Sequence, residues 1–197
     1  PEPDGGFAVS NKWAFCSVPT TSDKKLEQLK IEASRRKYDY LHENSGEKQI
    51  FLDLFRQAES ILNEEDSCYL ISPSSEAIQL QMDINQLKTQ RRENYAYLYD
   101  KLKNISDLRI VMPKLQEGVV PLYFVMSVNN REELQSHLRQ SQIYAPIVWP
   151  KAKECPPVCS EVQELYDTVL CLPIDQRYLI EDMERMAQCV VDFFDYN

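Results

Sequence analysis

The chain has 197 residues, of which 43% are hydrophobic and 27% charged, and a formal net charge of −9 at neutral pH. That length suits one domain or one and a half, because a chain of about this size hides roughly 70% of its unfolded surface. The acidity argues against a nucleic-acid backbone or an anionic membrane as the main partner. No apolar run approaches the roughly 20 residues of a membrane span.

Residues 7 to 21 read as extended or turning chain, with Phe7-Ala8-Val9-Ser10 as a short strand ended by Asn11-Lys12. Three helical segments follow. The first runs from about Ser22, a capping residue type, to Glu43, with Leu26, Leu29, Ala33 and Tyr40 on one face. Asn44-Ser45-Gly46 ends it. The second spans about Glu47 to Asn63; Ile50, Phe51, Leu54, Phe55, Ala58, Ile61 and Leu62 recur at steps of three and four. The third opens at Ser72-Pro73, a cap residue with proline at the first helical position, and is expected to run unbroken to about Lys103.

After Asn104 the texture changes. Leu108 to Met112 and Pro121 to Val128 read as strands joined through Gly118. A helix from Arg131 to Arg139, a third strand from Ile143 to Val148, a short helix at Ser160 to Tyr166 and a strand at Thr168 to Leu172 come next. A last helix, about Tyr178 to Phe194, buries Met183, Met186, Ala187, Val190 and Phe194. The expectation is an α/β (α+β) fold: a helical N-terminal segment, then a small mostly antiparallel sheet with helices on one face. The boundary falls near residue 104, giving regions 1–104 and 105–197 bridged by the long third helix.

Direct signals of chemistry are few. Four glycines make no phosphate cradle, and the two histidines, His42 and His137, stand apart, which leaves no Ser-His-Asp constellation. Six scattered cysteines read as free thiols of a reducing cytoplasm, and the start carries no signal-peptide pattern. Cys155-Pro156-Pro157-Val158-Cys159 is the one close pair and has no further ligands at zinc spacing, so no metal site is expected. The run from Lys30 to Lys37 is a solvated helix face, and Glu64-Glu65-Asp66 a solvated loop. Lys12 sits in a Ser-Asn-Lys turn without the desolvated or cation-flanked pocket that a Schiff-base lysine needs.

Several stretches, taken in order, do point to a family. Pro3-Asp4-Gly5-Gly6-Phe7-Ala8-Val9 opens the chain; Arg91, Arg92, Asn94 and Tyr95 form an Arg-Arg-x-Asn-Tyr signature. Val120-Pro121-Leu122-Tyr123-Phe124, Arg131-Glu132-Glu133-Leu134, Ile143 to Pro150, and Leu172-Pro173-Ile174-Asp175-Gln176-Arg177-Tyr178 follow. Together they resemble the C-terminal half of the DegT-like sugar-nucleotide aminotransferases, which are fold-type I pyridoxal-phosphate enzymes.

That resemblance implies a catalytic lysine in a Ser-x-Arg-Lys segment shortly before the Pro-Asp-Gly-Gly turn, hence before Pro1. The carboxylate that pairs with the pyridine nitrogen also lies upstream. A usual histidine is replaced by Val148, ahead of Trp149. The implied cofactor-side residues are Asp4, Gly5 and Gly6, and the implied substrate-side residues are Arg91, Tyr144, Trp149 and Arg177; no catalytic residue is assigned. Arginines at 91 and 177 are suited to a donor carboxylate, though from the sequence alone surface or ion-pair roles outweigh it. Tyr144 and Trp149 suit a sugar-nucleotide pocket, or a core or interface. By resemblance the family uses pyridoxal phosphate, which this chain alone is expected not to bind. Its partner is a second copy in a homodimer, or a missing N-terminal cofactor domain. The competing reading is a non-catalytic αβ interaction or ligand-binding module.

Overall fold

The computed structural model describes residues 4, 9–15, 21–43, 45–64, 69–148, 150–153 and 155–195. They form two compact units, residues 1–82 and 83–197.

In the first unit, α1 (Lys24–His42) and α2 (Lys48–Glu64) make an antiparallel hairpin. Lys30 Nζ meets Glu59 at 2.7 Å near one end, and the rings of Tyr40 and Phe51 lie 5.7 Å apart near the other. Ala33 and Ala58 are fully buried, small enough for two helices to pack closely. The cap of α1 is Asp23, one residue beyond the expected Ser22; its carboxylate accepts from the backbone N–H groups of Lys25 and Leu26. Gly46 takes φ +85° in the turn between the two helices, a conformation that suits glycine. The proposed strand at 7–10 falls partly outside the described residues, and Val9 and Ser10 are not in a strand.

The third helix does not run to residue 103. It ends as α3 (Pro73–Gln81), and α4 (Ile84–Leu102) begins three residues later. Met82 is extended, and the Asp83 carboxylate accepts from the N–H groups of Asn85 (3.0 Å) and Gln86 (2.9 Å). A side chain that caps a new helix competes with continuation of the old one, and here it wins. The compact units therefore part at Met82–Asp83, and α4 belongs with the sheet.

The second unit is built on a three-stranded antiparallel sheet, order β1-β2-β3, from β1 (Leu108–Ile110), β2 (Tyr123–Val128) and β3 (Val169–Pro173). Leu108 pairs with Val128, Met126 with Leu170 and Phe124 with Leu172, so these side chains share one face by strand alternation. They pack with Leu98 and Leu102 of α4, Leu134 and Leu138 of α5 (Arg131–Gln140), and Met183 and Val190 of α7 (Ile180–Asp195). Ser127, on the alternate face, bonds Thr168 at the end of α6 (Ser160–Thr168) at 2.8 Å. The expected strand at 143–148 forms no ladder. Among the described residues its backbone bond to β3 runs from the Cys171 N–H to the Pro146 carbonyl, 3.1 Å, and Pro146 itself has no N–H to return. Among the described residues no helix is long and apolar enough to cross a membrane.

Candidate functional site

The first half of α4 organises one end of the sheet. Four side chains of the Arg-Arg-x-Asn-Tyr stretch reach out from α4 to neighbouring loops. Arg91 Nε donates to Gln176 Oε1 (3.1 Å) and its Nη1 to the Pro121 carbonyl (3.2 Å). Arg92 Nη1 donates to the carbonyls of Gln116 (3.3 Å) and Val119. Tyr95, buried against Phe124, donates its hydroxyl to the Met112 carbonyl. Burial pushes the Tyr95 phenol above its usual range, which keeps it a neutral donor.

Asn94 is fully buried. Its amide nitrogen lies 3.3 Å from the Ile174 carbonyl, 3.4 Å from that of Asp175 and 3.0 Å from that of Tyr178. Gln90 donates to its Oδ1 at 3.1 Å and so orients the amide. In the turn thus held, Arg177 forks the Asp175 carboxylate, Nε at 2.7 Å and Nη2 at 2.8 Å. Burial alone would raise the Asp175 carboxyl, but side-chain and backbone hydrogen bonds from Arg177 outweigh it and hold it below its ordinary value. Arg91 adds to that lowering. The Arg177 guanidinium also lies over the Tyr178 ring, 5.8 Å from its centroid.

The sequence-predicted residues therefore divide. Arg91 and Arg177 meet around Asp175 and Gln176. Tyr144 is exposed and lines a different cavity of about 400 Å³ with Gln135, Arg139, Ile143, Ala145 and Pro146. Trp149, Gly5 and Gly6 lie outside the described residues. Asp4 belongs to the first unit, where Oδ1 accepts from the hydroxyls of Ser72 and Ser75, both at 2.6 Å, and Oδ2 from the Ser72 N–H at 3.1 Å. Those bonds sit at the N-terminus of α3, where a carboxylate is favoured by the helix dipole. Asn94 belongs to the Arg-Arg-x-Asn-Tyr signature, and nothing in the sequence assigns it a role. A buried, fully satisfied amide has no mark in sequence beyond its place on the apolar side of α4.

A pyridoxal phosphate site needs a lysine in a desolvated pocket. Among the described residues none is buried. Lys12 is exposed, Lys30 pairs with Glu59, and Lys151 donates to Gln163 at 2.9 Å. The described side chains do not fit the cofactor's covalent attachment. Nor do they hold a cluster of three or more metal-ligating side chains.

The α/β fold, helices with a small three-stranded antiparallel sheet, is shared with sugar aminotransferases of known structure. The sugar aminotransferase CalS13 from Micromonospora echinospora superposes with a TM-score of 0.50 at 14% identity, over 55% of this chain and 31% of that one. A DegT DnrJ EryC1 StrS aminotransferase from Brucella abortus gives 0.50 at 16% identity, over 72% of this chain and 44% of that one. The chain spans less than half the length of either structure, and at these identities the likeness is one of fold. No family model matches the chain, and no curated protein matches its sequence.

Proposed function

We propose that the chain is the C-terminal part of a pyridoxal-phosphate-dependent sugar aminotransferase-like protein, with its Schiff-base lysine on polypeptide preceding Pro1. The fold likeness over 72% of the chain to a DegT DnrJ EryC1 StrS aminotransferase carries this reading. It is supported by the order of the motifs from Pro3 to Tyr178.

In this reading Asp4, Gly5 and Gly6 stand beside the cofactor in the assembled protein, Asp4 by anchoring its segment to α3. Arg91 and Arg177 receive the carboxylate of an amino donor at the sheet end, and Tyr144 and Trp149 contact the sugar nucleotide. The working protein is a cytoplasmic homodimer. Pyridoxal phosphate supplies the electron sink for transamination when bound, and this chain supplies orientation and electrostatics.

The test compares this polypeptide with one extended upstream of Pro1. With pyridoxal phosphate, the extended protein is expected to show an absorbance band that borohydride abolishes, and to aminate a keto-sugar at the expense of glutamate. The present chain alone is expected to do neither. A borohydride-fixed adduct on Lys12, or conversion of a keto-sugar by this chain unaided, would overturn the proposal.

A further inference from the structure

Arg177 and Arg91 come from opposite ends of the sequence of the second unit and both engage the turn at residues 174–178, which a neutral side chain holds to α4. Asn94 stands three residues after Arg91, on the same side of α4. Its amide holds the carbonyls of Ile174, Asp175 and Tyr178, the backbone that brackets Arg177. Arg91 closes the same turn from outside through Gln176 Oε1. The turn's own bonds are short-range: Arg177 N–H to Asp175 Oδ1 at 3.1 Å, and Tyr178 N–H to the Asp175 carbonyl at 3.0 Å. They shape the turn without fixing it to α4.

We propose that Asn94, oriented by Gln90, is a positioning residue: it fixes the Ile174–Tyr178 turn on α4 so that Arg177 and Arg91 present one carboxylate-binding pair. This rests on the reading of Arg91 and Arg177 as the donor-carboxylate residues. The amide suits the task because it offers two donors and no charge. It satisfies buried carbonyls without competing with an incoming anion for either guanidinium. An incoming carboxylate competes with Asp175 for the Arg177 guanidinium, while the Arg177 backbone N–H to Asp175 Oδ1 leaves the turn its own bond.

The experiment records arginine Nε–H resonances of the full chain by NMR, with and without L-glutamate, in wild type, Asn94→Ala, Gln90→Ala and Asp83→Ala. The last weakens α4 at its cap and touches neither the turn nor the arginines. Wild type is expected to show Arg91 and Arg177 shifting together and saturably. Asn94→Ala and Gln90→Ala should bind glutamate about tenfold more weakly. Their ligand-free Arg177 Nε–H should already be displaced from its wild-type position. Asp83→Ala should bind like wild type despite lower stability.

Variants with wild-type Arg177 signals and wild-type affinity would overturn the positioning role and leave the carboxylate reading standing. Arg177 displaced in ligand-free variants, with no glutamate response even in wild type, would overturn the carboxylate reading and keep the coupling of Asn94 to Arg177. If Asn94→Ala does not fold, Gln90→Ala decides, since Gln90 only orients the amide.

Discussion

At the scale of single residues, the Arg-Arg-x-Asn-Tyr stretch is where sequence and structure bear on each other most directly. Its two arginines, its asparagine and its tyrosine each end on a loop carbonyl or amide, so the stretch is a clamp before it is anything else. Tyr95→Phe removes one hydroxyl and leaves the ring packed on Phe124. The Met112 carbonyl belongs to an exposed residue that water can reach, so the cost should stay near 1 kcal/mol. Urea unfolding would measure it, with an unchanged m-value expected.

Asp175 gives the pH dependence. Its folded carboxyl titrates below the unfolded value of about 3.9, so its contribution is fully present above about pH 5. That contribution is lost as pH falls through the lower folded value. Asp175→Asn should flatten this part of the acid limb in denaturation midpoints taken between about pH 5 and 2. An acid limb as steep as wild type would mean that other carboxylates carry it. Glu32, lowered to about 2 by hydrogen bonds from Arg35 and then Arg36, lies on the solvent-accessible face of α1 and is a weak contributor by comparison.

At the scale of elements, α2, α5 and α7 were legible because their apolar residues recur at helical steps, and the observed limits fall within about two residues of the expected ones. The α3–α4 break was less so. Periodicity continues through Gln81 to Ile84, and only the capping chemistry of Asp83 interrupts it. Asp83→Ala should therefore cost about 1 kcal/mol and fray the first turn of α4. Faster hydrogen exchange at Asn85 and Gln86, whose N–H groups lose their acceptor, would report it. The stretch 143–148 misled for the opposite reason. Its composition is strand-like, but pairing depends on a neighbour's register and on the N–H group that Pro146 lacks. Of the candidate site, the arginines could be nominated from sequence by charge and family resemblance. The buried amide that joins them could not, because its role lies in carbonyls some 80 residues away.

At the scale of the whole molecule, the two units differ in how much core each holds. Among the described residues the second unit has a contiguous cluster of twenty buried side chains, from Tyr95 to Phe193. The first has four buried hydrophobic residues, Leu26, Ala33, Phe51 and Ala58, two of them alanines. Buried apolar area is the main favourable term in folding, so amides of α1 and α2 should exchange through openings of lower free energy than those of β2, β3 and α7. Native-state hydrogen exchange in rising denaturant separates the two classes. Phe124→Ala then removes the largest fully buried side chain, which sits on β2 against Leu172 and Tyr95. The slow amides of β3 and α7 should lose about 3–5 kcal/mol of protection. Exchange of α1 and α2 as slow as that of β3 in wild type would show that the first unit draws its stability from more than its own four buried residues.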